Sequence, residues 1–218
     1  RRIPERDMKG ILSLLKMKTR SGKPSDDHTD SVLFSTAFAG QGVDDSMLVP
    51  WEARAVEVGA KRLPTSRGGK LLQGLWAKDK YMAHLDKDAV ERMERFFEFA
   101  AVPSNRDVIR QDEYGNFMVV LLTGTIAVDR VQPWGEQLRL AETRPGDILG
   151  EMSLLDSGIR FSACTTLTDC EIAVLSAEAM DDMMTKDPQL AASLIALLAR
   201  KLSLRLRVVS ARLSDNQK

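Results

Sequence analysis

The sequence predicts a mainly β domain flanked by helices, and three observations carry that expectation. Between Val108 and Leu175 the chain breaks into short apolar runs: Val108–Ile109, Phe117–Leu122, Thr125–Val131, Gln137–Ala141, Ile148–Leu149, Ala163–Thr166 and Glu171–Leu175. Turn residues separate them, at Tyr114-Gly115-Asn116, Thr123-Gly124, Pro133-Trp134-Gly135, Pro145-Gly146-Asp147 and Ser157-Gly158. Many short strands at close spacing are the pattern of a barrel or sandwich. On either side of these runs the apolar period changes from two to three or four, the spacing of a helix with one buried face.

Before the strands, Asp86 or Asp88 offers an N-cap. Ala89, Val90, Met93, Phe96, Phe97 and Ala100 then recur at helical spacing until Pro103-Ser104-Asn105 ends the helix. After the strands, Ser176 can cap a helix over Ala177–Met184. Asp187 caps the last helix, with Pro188 in the first position, where a missing N–H costs nothing. Ile195, Leu198, Leu202, Leu206, Val209 and Leu213 mark one stripe along it. The spacing predicts a helix of about 25 residues, longer than the globular average.

The first 80 residues are less regular. Residues 1–20 are charged, with an apolar patch at Ile11–Leu15 that could form a short helix, and 21–30 read as a solvated linker. Residues 31–50 show no clear period, 51–63 favour helix after Pro50, Thr65–Lys70 reads as a punctuated stretch, and Leu71–Leu85 looks helical. The expected division is an N-terminal extension over 1–80, helical or partly irregular and of unassigned role, followed by one domain over 81–214.

Lys plus Arg and Asp plus Glu are equal at 31 each among 218 residues, so the chain lacks the overall positive charge of a nucleic-acid binder. The last helix is locally basic, with Arg200, Lys201, Arg205, Arg207 and Arg212. No run approaches the roughly 18 apolar residues of a membrane span. Cys164 and Cys170 read as buried thiols in strands of a cytoplasmic protein, and no metal ligands are expected. No phosphate-binding Gly-x-x-x-x-Gly-Lys-Ser/Thr loop and no Gly-x-Ser-x-Gly elbow occurs, and His28 and His84 are far apart, so no catalytic residues are assigned. The adjacent pairs Asp26-Asp27 and Asp181-Asp182 read as solvated, and the ten methionines as core filler.

The stretch Arg144–Thr166 carries the chemistry. A strand ends at Leu149. Gly150 has no side chain and lets backbone approach a ligand closely. Glu151-Met152-Ser153-Leu154-Leu155 can begin a short helix whose free N–H groups favour an anion. Glu151 can accept hydrogen bonds from hydroxyls, and Arg160 offers a charged fork suited to phosphate. Together these groups suit a ribose joined to a phosphate. Taken one at a time they are ordinary, a chance Gly-Glu pair and a surface arginine.

Gly146-Asp147-Ile148-Leu149-Gly150-Glu151-Met152-Ser153-Leu154-Leu155, followed by Gly158 and Arg160, closely resembles the phosphate-binding cassette of the cyclic-nucleotide-binding domain family. That family includes bacterial catabolite activators, protein kinase A regulatory subunits and cyclic-nucleotide-gated channels. Val108–Gln111, Val119–Gly124 and Leu175–Leu206 resemble its flanking elements, so the likeness covers roughly residues 81–214. The resemblance implies a β-roll of the double-stranded β-helix or jelly-roll type, with an N-terminal helix and two C-terminal helices. It implies a binding role, not an enzyme. It also implies that Glu151 takes the ribose 2′-hydroxyl. Gly150 and Met152 then present backbone groups near the sugar and phosphate. Arg160 pairs with the cyclic phosphate, with the N–H groups of Phe161 and Ser162 facing the same oxygens. Arg205 falls where the last helix of family members reaches over the purine, or else is a solvated helix residue.

Three departures from the family pattern bear on the ligand. Phe161 stands where a small residue is usual and where domains preferring cyclic GMP often carry Thr, which leans the reading toward cyclic AMP. Ser162 stands where Ala is common. Asn105 and Asp112 replace two frequent turn glycines, and both types tolerate left-handed backbone. No segment resembling the helix-turn-helix of the transcription activators follows the long helix, so no DNA partner is expected. The expected partners are the cyclic nucleotide, a second copy through the C-terminal helix and a downstream protein. The competing expectation, favoured by Phe161, is a β-roll that binds no nucleotide and serves as an interaction or dimerisation module.

Overall fold

The computed structural model describes residues 34–83 and 85–215, without the side chains of Arg212, Leu213 and Asp215. The expected helix at Ile11–Leu15, the linker at 21–30, Asp26-Asp27 and both histidines lie outside the described residues. The order is α1 (Phe34–Gly40), a short 3-10 turn (Asp45–Met47), α2 (Trp51–Val58), β1 (Lys61–Arg62), α3 (Thr65–Trp76), α4 (Lys87–Glu94), β2 (Glu98–Val102), β3 (Asp107–Ile109), β4 (Phe117–Thr123), β5 (Ile126–Val131), β6 (Gln137–Glu142), β7 (Ile148–Leu149), α5 (Glu151–Asp156), β8 (Ala163–Thr166), β9 (Cys170–Ser176), α6 (Ala177–Lys186) and α7 (Pro188–Asp215).

Two antiparallel sheets face one another, with strand orders β1-β2-β9-β4-β7 and β3-β8-β5-β6. The β4 register against β9 (Val119 opposite Val174, Val120 opposite Ala173) puts alternate residues on opposite faces. Phe117, Val119, Leu121, Ile172 and Val174 point between the sheets, where they meet Val108, Ile126, Leu149 and Cys164. Met118, Val120, Leu122, Ala173 and Leu175 point outward onto Leu72, Trp76, Met93, Met180, Leu194 and Leu198 of the helices. β4 is therefore buried on both faces, which is why it reads as an unbroken apolar run.

Every expected strand is present within a residue or two of its expected limits. Two further strands replace helix: the helix expected over 51–63 stops at Val58 and Lys61–Arg62 forms β1, and the second is β2. α4 stops at Glu94, and Glu98–Val102 forms β2, paired along its length with β9. Phe99 faces the helices while Ala100 and Val102 face the roll interior, so a strand period hides inside residues that also fit a helical one. Thr65–Lys70 is not punctuation but the first half of α3. A Cβ on Gly68 would overlap the Phe99 side chain, and one on Gly69 the Glu94 carboxylate. These glycines let α3 lie close against β2 and α4.

The caps fall where the residue types place them. The Asp86 carboxylate accepts from the Ala89 N–H at 2.7 Å, and the Ser176 hydroxyl from the Ala179 N–H at 3.1 Å. Asn105 (φ 58°) and Asp112 (φ 64°) hold the expected left-handed turns. Both cysteines are free and buried, and burial pushes the Cys164 thiol up to about 12. Asp181 is not solvated: it is 7 % exposed and accepts from the Phe34 and Ser35 N–H groups at 2.7 and 2.9 Å, which anchors α1 on α6. Asp182 is half-exposed beside Lys186.

Residues 34–83 join the same two cores. Leu72, Trp76 and Met82 enter the helical one, and Trp51 and Val58 of α2 close the inter-sheet one. α7 is 28 residues long. Its Leu190, Leu194, Leu197 and Leu198 are buried, whereas Leu204, Leu206, Val208 and Val209 lie open. No helix among the described residues is long and apolar enough to cross a membrane.

Candidate functional site

The short strand β7 runs directly into α5. At the junction Gly150 takes a left-handed conformation (φ 74°) that an L side chain rarely adopts. A Cβ there would sit 2.6 Å from Arg160 Nη1 and 2.8 Å from Ile109 Cδ1. Gly150 is thus required by the close approach of Arg160. No side chain caps α5.

Arg160 is 3 % exposed. Its Nη1 donates to the Gly150 carbonyl at 2.7 Å and its Nη2 to the Phe117 carbonyl at 2.6 Å. The guanidinium lies 4.8 Å from the centre of the Phe117 ring. The Arg160 backbone is tied to the β3–β4 turn: its N–H donates to the Glu113 carbonyl at 2.7 Å, and its carbonyl accepts from the Asp112 N–H at 2.9 Å. Burial lowers its pKa to about 10, which still leaves the guanidinium charged at neutral pH. Among the described residues no carboxylate forms an ion pair with Arg160. The guanidinium is hydrogen-bonded only to carbonyls, with the Glu151 and Glu113 carboxylates near enough to favour its charge without pairing with it.

Glu151, the first residue of α5, is 4 % exposed and is paired with Arg205 of α7. Arg205 Nη2 also donates to the Ile148 carbonyl at 2.8 Å. The long helix is therefore fastened across the start of α5, and Arg205, though about half-exposed, is paired.

The other expected site residues are placed differently. Met152 is 45 % exposed. Phe161 is 50 % exposed, with the Arg130 guanidinium 4.0 Å from its ring centre and Arg130 Nη1 donating to its carbonyl. Ser162 is half-buried.

Sequence reasoning missed the groups that hold Arg160: Glu113, Gly115 and Phe117, and behind them Arg54 of α2. Tyr114-Gly115-Asn116 was legible as a turn, but not as the turn lying on Arg160. A Cβ on Gly115 would be 2.7 Å from Arg160 Nη2. No group of His, Cys, Asp and Glu suited to a metal ion occurs among the described residues.

A roll of two sheets thus brings a glycine-carboxylate helix start against a buried arginine. Residues 100–187 match the family described as Cyclic nucleotide-binding domain. It is 31 % identical over 107 residues to the cyclic AMP receptor protein of Thermus thermophilus, covering 49 % of this chain and 50 % of that protein. It is 28 % identical over 100 residues to the CRP-like cAMP-activated global transcriptional regulator of Mycobacterium tuberculosis, covering 46 % of this chain and 45 % of that one. The chain thus spans about half the length of the curated relatives it matches. A cyclic nucleotide-binding domain from Methylobacillus flagellatus has the same fold, with a TM-score of 0.65 at 22 % identity over 70 % of this chain and 86 % of that one.

Proposed function

We propose that this chain is a cyclic-nucleotide sensor that binds cyclic AMP in the cassette Gly150–Ser162 and relays occupancy to a protein partner. The observation that carries the reading is Arg160, buried and charged with no carboxylate paired to it, beside Glu151 at the start of α5. A cyclic phosphate supplies a negative charge to pair with it, and Glu151 is the acceptor for the ribose hydroxyl. Matches to proteins named for cyclic AMP support the same ligand.

Glu151 is engaged by Arg205, so a ribose hydroxyl and Arg205 compete for one carboxylate. Binding then loosens or re-aims α7 at its middle, just before the open apolar residues Leu206 and Val209. That is a route from occupancy to a partner, here a second copy of the chain.

Calorimetry with cyclic AMP, cyclic GMP and cyclic dinucleotides tests the reading. Buried charge-assisted hydrogen bonds contribute about 1.5–3 kcal/mol each, so Arg160→Ala is expected to weaken cyclic AMP by roughly tenfold to more than a hundredfold. Equal affinity in wild type and variant rules out Arg160 as the phosphate residue.

A second reading, a nucleotide-free interaction module, has its own observation. Phe161, half-exposed and covered on one face by Arg130, puts a bulky ring directly after Arg160, where the resemblance leads one to expect a small residue. Under this reading none of the three ligand classes binds at millimolar concentration.

A further inference from the structure

On α2, Trp51, Arg54 and Val58 share one face, and all three are buried. An arginine in the middle of a core-facing stripe is unusual, and Arg54 is 1 % exposed. Its Nη1 donates to Glu57 at 2.6 Å, and its Nη2 pairs with Glu113. Glu57 is shared with Arg110. The Arg54 Nε is buried with no hydrogen-bond partner among the described residues.

Stability gives no reason for this arrangement. Apolar side chains of similar volume commonly serve a core as well as a buried ion pair does, and an unsatisfied donor adds a cost. The partners of Arg54 suggest another reason. Glu113 is held by Arg54 through its carboxylate and by the Arg160 N–H through its carbonyl. Trp51 meets the Phe117 ring edge-on, with centroids 5.6 Å apart, and Phe117 is the residue whose ring and carbonyl hold the Arg160 guanidinium. One face of α2 therefore touches both supports of Arg160, the turn and the aromatic ring.

We propose that Arg54 is a positioning residue for the phosphate arginine. It pins the Asp112–Gly115 turn through Glu113, and the turn fixes where the Arg160 guanidinium meets a 3′,5′-cyclic phosphate. On this view the nucleotide site extends to α2. The inference rests on the cyclic-nucleotide reading above.

The test is a double-mutant cycle on the full chain, with cyclic AMP affinity read by calorimetry. Arg54→Met and the shape-preserving Glu113→Gln are each expected to weaken binding by roughly fivefold or more, the scale of coupling between residues in one network. In an Arg160→Ala background Arg54→Met is expected to produce no further loss, because Arg54 acts through Arg160. A role in general stability alone would instead add the two losses. Additive losses, or a Glu113→Gln affinity within about twofold of wild type, overturn the role of Arg54 and leave the nucleotide reading standing. If Arg54→Met fails to fold, Glu113→Gln with and without Arg160→Ala decides the question. Absence of cyclic nucleotide binding by the wild type overturns both.

Discussion

Phe161 is the residue at which ligand choice is most exposed to test. It begins the segment after Arg160, and Arg130 covers one face of its ring while half of the side chain remains open. A phenyl ring offers stacking surface but no hydroxyl with which to bond guanine. Under the proposed function cyclic AMP therefore binds more tightly than cyclic GMP. Phe161→Thr restores a hydroxyl worth about 0.5–1.5 kcal/mol, which narrows the preference by roughly two- to tenfold. A competition assay reads both numbers, and cyclic GMP binding more tightly to the wild type reverses the assignment. The residue types of the cassette were legible because Gly150, Glu151 and Arg160 lie within one short stretch. The partner of Glu151 was not, since Arg205 is 54 positions away.

At the scale of elements, α3 and β2 show how packing overrides local appearance. Thr65–Lys70 carries two adjacent glycines that read as a break, and Phe96–Ala100 carries a helical period. The structure makes the first a helix and turns the second from Glu98 onward into strand, because β9 offers β2 a full antiparallel partner and α3 needs glycine to approach it. The two glycines are not equivalent. Gly68→Ala drives a methyl into Phe99 at its Cβ and ring root, which cannot swing aside. Such overpacking costs about 1–3 kcal/mol, against roughly 1 kcal/mol gained in helix propensity. At Gly69 the obstacle is the end of the flexible Glu94 side chain, which is bonded to Gln73. Chemical denaturation is expected to show Gly68→Ala less stable than wild type and Gly69→Ala close to it. Equal effects at both positions would contradict this packing.

For the whole molecule the outstanding feature is α7. Its first half is buried against the roll and its neighbouring helices, as Leu190, Leu194 and Leu198 show. Beyond Arg205, Leu206 is 67 % exposed and Val209 51 %, both toward one side of the helix. Under the proposed function a second copy covers this face by a two-fold pairing of the helices. Light scattering at tens of micromolar is expected to find a dimer, and Leu206→Asp with Val209→Asp a monomer. A monomeric wild type, with or without cyclic AMP, removes the homodimer from the proposal.

The sequence by itself determined the strands from β3 onward, the caps and the stretch from Gly150 to Arg160, because each is written in neighbouring residues. Short apolar runs and turn types mark β3 through β9, side-chain oxygens mark the helix starts at Asp86 and Ser176, and one contiguous stretch holds Gly150, Glu151 and Arg160. The tertiary structure decided which of these groups meet. It put Arg205 on Glu151, Phe117 under Arg160 from 43 positions away, and Arg54 on Glu113 from 59. It also recruited α2 to close the roll. The physical reason is that a local pattern states which face of an element is apolar or charged. The mate of that face is set by how the layers stack, and sequence spacing carries no record of the stacking.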